Sequence, residues 1–223
     1  MIYYFFHQIM NKYRLNGTLH APYQEDGVKW MLAMENQKTG PKGGFLCDEM
    51  GLGKTIQIIS TVLSNPKPLT LVVVPKTIVT QWSIEIAKFA PGLSVLIYDG
   101  PDRTKNANDF MKADIVVCPY SMLYSKTTLI HGIKWNRVVL DEAHEIRNRQ
   151  TRTFKSVIKL KSEIHWAVTG TPVFNSMEDF VSLCMFIGFS KNTVQAMHKD
   201  IKDIYILRRT KADGILSIPY CHF

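Results

Sequence analysis

Two strings of residues in this chain have the types and order needed for phosphate chemistry. Asp48-Glu49-Met50-Gly51-Leu52-Gly53-Lys54-Thr55 follows a short apolar run at 44–47 and precedes a helix-like run at 56–63. Such a loop lets backbone N–H groups converge on an anion at a helix N-terminus. Lys54 would pair there with β- and γ-phosphates, and the Thr55 hydroxyl would ligate Mg²⁺. Further along, Val138-Val139-Leu140-Asp141-Glu142-Ala143-His144 reads as a buried strand ending in two carboxylates. Asp141 can hold the metal shell while Glu142 polarises an attacking water. Asp48 stands where the plain phosphate-loop pattern has its leading Gly. Gly51 and Gly53 alone would suit any turn feeding a helix. Lys-Thr beside that turn, with Asp-Glu at a strand end, makes a site for ATP and Mg²⁺ the better reading.

Alternating strands and helices must position these groups. Apolar, mostly β-branched runs at 44–47, 70–74, 94–98, 114–118, 137–140 and 165–168 predict strands buried on both faces. Apolar residues at helical spacing predict helices over 55–63, 78–89, 154–159 and 177–187. The polar stretches 99–109 and 145–153 read as surface loops. This alternation implies an α/β fold, a mostly parallel sheet with helices on both faces and ligands beyond the carboxyl ends of its strands.

Length and composition fit one large domain. The chain has 223 residues, of which 46% are hydrophobic. Its 27 Lys+Arg against 19 Asp+Glu leave a formal charge of +8, which favours a polyanionic partner without naming it. Cys47, Cys118, Cys184 and Cys221 are far apart and form no C-x-x-C pair, so a reducing, intracellular setting without a cysteine metal site is expected. The opening Met1-Ile2-Tyr3-Tyr4-Phe5-Phe6 lacks a basic flank and gives way to His7 and Gln8, too short and polar a run to span a membrane.

Several further strings occur in a telling order: Leu19 to Met31, then DEMGLGKT, VVVPK, DEAH, TGTP and finally Leu207-Arg208-Arg209-Thr210-Lys211. This order and wording resemble the Swi/Snf-related ATPases, the DNA-translocating branch of helicase superfamily two. The resemblance covers residues 19–219 and implies a RecA-like P-loop NTPase lobe, with residues 1–18 as an N-terminal extension and 220–223 as a tail. It makes Gln24 the adenine reader and Asp48 to Thr55 the nucleotide loop, with Thr55 and Asp141 serving Mg²⁺. Tyr23 and Trp30 would pack either around the nucleotide or in the core.

The same resemblance sets Lys76, after Val72-Val73-Val74-Pro75, against a DNA backbone phosphate, a contact independent of sequence. Tyr120 and Ser121 stand at the next DNA-facing strand end, where Cys118 and Pro119 replace the family's threonines. Arg147-Asn148 after the DEAH string looks like the family continuation. Thr169-Gly170-Thr171-Pro172 resembles the string that couples the nucleotide and DNA sites, working with His144. Asn175 matches the family, whereas Phe174 stands where Gln is common.

These motors have two RecA-like lobes, and the second supplies an arginine finger. No second-lobe string is visible, so the chain reads as lobe one, needing a second lobe in cis or in trans. A natural fragment, a split gene and a truncated sequence all fit that ending. An ATP-binding lobe of a DNA-dependent ATPase competes with a non-catalytic module that binds ATP or DNA. An RNA helicase is a third reading. Turnover by this chain alone would need a finger from Arg208 or Arg209 acting between copies.

Overall fold

The computed structural model describes residues 12–19, 21–125, 127–170 and 176–213. Seven strands lie among them: β1 (Lys42–Leu46), β2 (Thr70–Val74), β3 (Val95–Ile97), β4 (Ile115–Pro119), β5 (Lys134–Leu140), β6 (Lys161–Val168) and β7 (Ile206–Leu207). They form one sheet in the order β3-β4-β2-β5-β6-β1-β7, and every pairing is parallel. All five residues of β2 and of β4 are buried. A parallel sheet covered on both faces demands such continuous apolar runs.

Helices α1 (Pro22–Asn36), α2 (Lys54–Ser64), α3 (Val79–Phe89), α4 (Tyr120–Leu123), α5 (Arg152–Val157), α6 (Met177–Ile187) and α7 (Lys191–Tyr205) flank this sheet. Their alternation with the strands is that of a RecA-like P-loop NTPase lobe. No helix among the described residues is long and apolar enough to cross a membrane.

Four elements were not expected from the sequence, the single turn of α4 among them. Helix α1 buries Gln24, Gly27 and Glu35 alongside Val28, Met31 and Met34, so polar groups interrupt its apolar stripe. Helix α7 buries only Val194, Ile201 and Tyr205, too few to mark a helical face. The two residues of β7 owe their pairing to β1 rather than to their own pattern. Strands β5 and β6 also begin earlier than expected, because Lys134 and Lys161 at their exposed ends hide the alternation.

The expected loop at 145–153 closes sooner. A 3-10 turn, Ala143–Ile146, buries Ile146, and α5 already starts at Arg152. In the expected loop at 99–109, a second 3-10 turn begins at Ala107 and seats Phe110 in the core.

A buried ion pair fixes α1 to the sheet. Arg137 Nε and Nη2 donate to the two Glu35 carboxylate oxygens at 2.6 Å each. Trp166 Nε1 and Asn65 Nδ2 donate to the same carboxylate at 2.9 and 2.7 Å, so each charge is matched and hydrogen-bonded. At the amino end, the Asn16 N–H donates to the Phe89 carbonyl at 2.7 Å and Lys12 pairs with Asp114 at 2.9 Å. Residues 12–16 are thereby tied to the body of the lobe.

Candidate functional site

Strands β5, β6 and β1 are neighbours, and each ends in one of the chemical strings read from the sequence. Carboxyl ends of adjacent parallel strands are where this class of sheet binds ligands. From β1 the chain passes Asp48 into the loop, where Gly51 (φ 88°) and Gly53 (φ 73°) take left-handed conformations. A β-carbon disfavours both. At Gly53 a β-carbon would also collide with Gln24 Nε2. Helix α2 then starts at Lys54 and turns its N-terminus toward the loop, a ready anion site.

Lys54 folds back along that loop. Its Nζ donates to the carbonyls of Asp48 (2.9 Å) and Glu49 (3.3 Å). Burial lowers the Lys54 pKa, while the carboxylates of Asp141, Glu142 and Asp48 oppose the shift. An arriving phosphate would support the ammonium in the same way.

Asp141 follows β5 and is 9% exposed. Its Oδ2 accepts from Trp82 Nε1 at 2.7 Å, and its Oδ1 accepts from the Glu142 N–H at 2.9 Å. Burial raises the Asp141 pKa, and those two donors, with Lys54, hold it back. Each oxygen keeps a second lone pair, so the group fits a hard divalent cation. Glu142 adopts φ 48° and ψ 51°, a left-handed conformation that is rare without glycine and concentrates at functional sites. His144 Nδ1 lies 3.2 Å from Glu142 Oε2 but off the line of a hydrogen bond, leaving that buried nitrogen without a partner.

Gln24, Gly51, Gly53, Lys54, Thr55, Trp82, Asp141 and Glu142 line one cavity of about 490 Å³. That is room for a nucleotide. Gln24 is 5% exposed and its Nε2 donates to the Leu52 carbonyl at 3.3 Å. Met50 stands out at the loop tip, 68% exposed, whereas Leu52 turns into the core. Thr169 is buried after β6, its N–H donating to the Leu46 carbonyl at 3.1 Å. A β-carbon on Gly170 would sit 3.1 Å from Lys54 Nζ, so this string lies against the phosphate loop. Thr171, Pro172, Phe174 and Asn175 lie outside the described residues, as do 1–11 and 214–223.

Other expected residues land elsewhere. The Asp48 side chain is fully buried and points to Arg209 rather than into the cavity. Glu49 accepts from the Lys211 N–H at 2.8 Å. Trp30 stacks edge-on against Trp166 at 5.4 Å, a core contact. The Tyr23 hydroxyl donates to the Leu52 carbonyl at 3.2 Å.

Lys76 is exposed beyond β2 and paired with Asp99, and Ser121 is half-buried. Tyr120 is 6% exposed and its hydroxyl donates to the Asp141 carbonyl at 2.8 Å. Burial pushes its pKa well up. A backbone phosphate would not reach that hydroxyl; it ties the residue after β4 to the main chain at the end of β5 instead.

Two residues escaped the sequence reading in their actual roles. Trp82 was one apolar position of a helix, although a buried indole N–H requires an acceptor. Arg209 reads from the sequence as part of the string 207–211 and as a candidate finger between copies. Its guanidinium is instead committed to Asp48 within its own chain.

A family model described as the SNF2-related domain matches residues 23–213. The putative ATP-dependent helicase/translocase YwqA of Bacillus subtilis (strain 168) is 33% identical over 91% of this chain and 24% of that protein. Helicase SWR1 of Kluyveromyces lactis is 34% identical over 92% of this chain and 16% of that protein. The Sulfolobus solfataricus SWI2/SNF2 ATPase core in complex with dsDNA superposes with a TM-score of 0.79 at 32% identity, covering 92% of this chain and 47% of that one. The chain thus spans about a quarter or less of these curated relatives and about half of the archaeal core. Matched over nearly all its described residues and carrying the loop, carboxylate and strand order above, the chain belongs to the SNF2-related family of superfamily-two helicase-like ATPases and corresponds to its N-terminal RecA-like lobe.

Proposed function

We propose that the chain is the ATP-binding lobe of a DNA-dependent ATPase of the translocating kind, working with a second RecA-like lobe in cis or in trans. The observation that carries this reading is the convergence of Gln24, Lys54, Asp141 and Glu142 on one cavity at the ends of adjacent strands. Gln24 presents an amide, donor and acceptor together, to the adenine edge. Backbone N–H groups of Met50, Gly51 and Gly53 and the α2 N-terminus receive phosphate oxygens, and Lys54 exchanges its two carbonyl partners for them.

Thr55 and Asp141 would hold Mg²⁺. When bound, that ion neutralises charge on the β- and γ-phosphates. Trp82 and the Glu142 N–H keep the Asp141 carboxylate oriented for it. Glu142 takes the proton of the attacking water, and His144, its Nδ1 3.2 Å from that carboxylate, takes the coupling role with Thr169 and Gly170. Lys76 and Ser121 face duplex DNA through its backbone, a reading supported by the dsDNA complex of the archaeal ATPase core to which the chain is similar. The three described cysteines, Cys47, Cys118 and Cys184, are free and buried, which favours a reducing intracellular setting.

Titration of the purified chain with a fluorescent ATP analogue tests the reading. Lys54→Ala is expected to weaken Mg·ATP binding by about tenfold or more, the scale of a lost charge-assisted hydrogen bond. Thr55→Ala should remove the Mg²⁺-dependent part. Equal affinity for wild type and Lys54→Ala would sink the phosphate-loop assignment. A non-catalytic module remains the second reading, favoured by the commitment of Arg209 to its own chain.

A further inference from the structure

A single guanidinium stands behind the candidate nucleotide site and joins three of the segments that build it. Arg209 follows β7, and its side chain is 14% exposed. Its Nε donates to Asp48 Oδ1 at 2.9 Å and its Nη2 to Gln57 Oε1 at 2.7 Å. The same Nη2 reaches Asp48 Oδ2, and Nη1 donates to the Tyr23 carbonyl. The guanidinium also lies 5.2 Å from the Tyr23 ring centroid. One planar cation thereby joins α1 next to Gln24, the first residue of the phosphate loop, and the first turn of α2.

The backbone runs alongside in support. Cys47 N–H donates to the Leu207 carbonyl at 2.7 Å, Glu49 N–H to the Arg209 carbonyl at 2.9 Å, and Arg209 N–H to Asp48 Oδ1 at 3.1 Å. Residues 207–211 form a strap along the loop. Gly27, in the interior of α1, carries an independent sign of the same arrangement. A β-carbon there would come within 2.8 Å of Arg209 Nη2 and collide with Gln57 Oε1. Glycine inside a helix is destabilising relative to alanine. The room it leaves is filled by the Arg209 fork.

We propose, resting on the nucleotide-lobe reading above, that Arg209 is a positioning residue for adenine nucleotide recognition. By holding Asp48, Gln57 and the Tyr23 carbonyl in one frame, it sets the phosphate loop and the adenine-reading Gln24 relative to each other. Three acceptor groups arranged around a plane need the fixed fork of arginine, which a lysine ammonium does not reproduce. Because coupling between sites is reciprocal, nucleotide binding tightens the strap in return.

Gly27→Ala is the sharpest test, since the atoms in its way are side-chain ends that swing aside. The helix is retained while the fork is displaced. With Arg209→Lys beside it, dissociation constants for fluorescent Mg·ATP and Mg·GTP analogues are compared with wild type. Both variants are expected to bind ATP about tenfold more weakly and to show a GTP/ATP ratio moved toward one. A merely structural role would lower the unfolding midpoint and leave that ratio unchanged.

Unaltered ATP affinity and ratio in folded Gly27→Ala and Arg209→Lys overturn the proposal while leaving the lobe's ATP binding intact. A wild-type chain that binds no ATP overturns the underlying reading as well. Should either variant fail to fold, hydrogen exchange of the wild type decides. The Glu49 and Arg209 amides are expected to exchange several-fold more slowly with Mg·ATP, and equal rates refute the coupling.

Discussion

Glu142 carries two notable properties in one residue, a left-handed backbone and a place in the lining of the candidate nucleotide cavity. Glu142→Gln keeps the size and removes the base. Any turnover supported by the chain should fall by about 10²-fold or more while ATP affinity holds, the scale of general-base catalysis. Steady-state ATPase and analogue titration, run together, check both halves. At the opposite end of the sheet's usefulness stands His165, on β6 and edge-on to Phe186 at 5.1 Å. Burial lowers its pKa from 6.5 to about 4. The unfolded chain takes up a proton below 6.5 that the folded chain refuses until about 4, so stability is full above 6.5 and declines as pH falls through that window. About 1–2 kcal/mol should be lost between neutral pH and pH 5. His165→Phe should flatten that acid limb in denaturant unfolding; an unchanged slope would assign the acid sensitivity to other groups.

At the scale of elements, α1 brings Gln24 to the cavity and is itself held by the Glu35–Arg137 pair. Both side chains are almost wholly buried. Arg137→Met strands the Glu35 charge and should cost about 3–5 kcal/mol in chemical unfolding. Adding Glu35→Leu should recover only part, because the Trp166 and Asn65 donors then lose their acceptor. Full recovery would show those donors to be satisfied elsewhere. Why was this arrangement illegible in the sequence when so much else was plain? Strand β2 coincides with the expected 70–74, and α6 with 177–187, since each carries its own periodicity and α6 is bounded by the Ser176 cap and Gly188. The loop and the Asp141-Glu142 strand end were likewise readable, being local patterns of glycine, charge and apolar run. Arg137 meets Glu35 across 102 positions, Trp82 meets Asp141 across 59, and Arg209 meets Asp48 across 161. No local period records such partners. Their traces are the oddities they leave behind: a glycine inside α1, an arginine inside an apolar strand, a carboxylate where a phosphate loop has glycine.

For the whole molecule, charge and coverage bear on one question, how much of a motor these residues supply. The net charge of +8 and the exposed Lys76 favour a polyanion, duplex DNA on the proposed reading, and such binding should weaken steeply with salt as counterions are released. The Tyr120 hydroxyl, just past β4, donates to the Asp141 main-chain carbonyl, and Trp82, in α3 beyond β2, donates to the Asp141 carboxylate. On the proposed reading, these two bonds are the contacts through which DNA at the ends of β4 and β2 would act on Asp141. What the described residues do not offer is a guanidinium free to meet the γ-phosphate from within the cavity, since Arg209 is held by Asp48 and Gln57. An arginine finger contributes roughly 10³ to 10⁵ in rate in other phosphoryl-transfer systems. On the proposed reading, the 223-residue chain binds ATP and hydrolyses it slowly, with or without DNA. Mixing it with a separately expressed second lobe from a relative should raise DNA-stimulated turnover, and that gain should vanish at high salt and with Glu142→Gln. Robust DNA-stimulated hydrolysis by the chain alone would overturn the half-motor reading. The exposed Arg208, acting between copies, would then be the first residue to replace, because it can leave its place without dismantling the nucleotide site as Arg209 cannot.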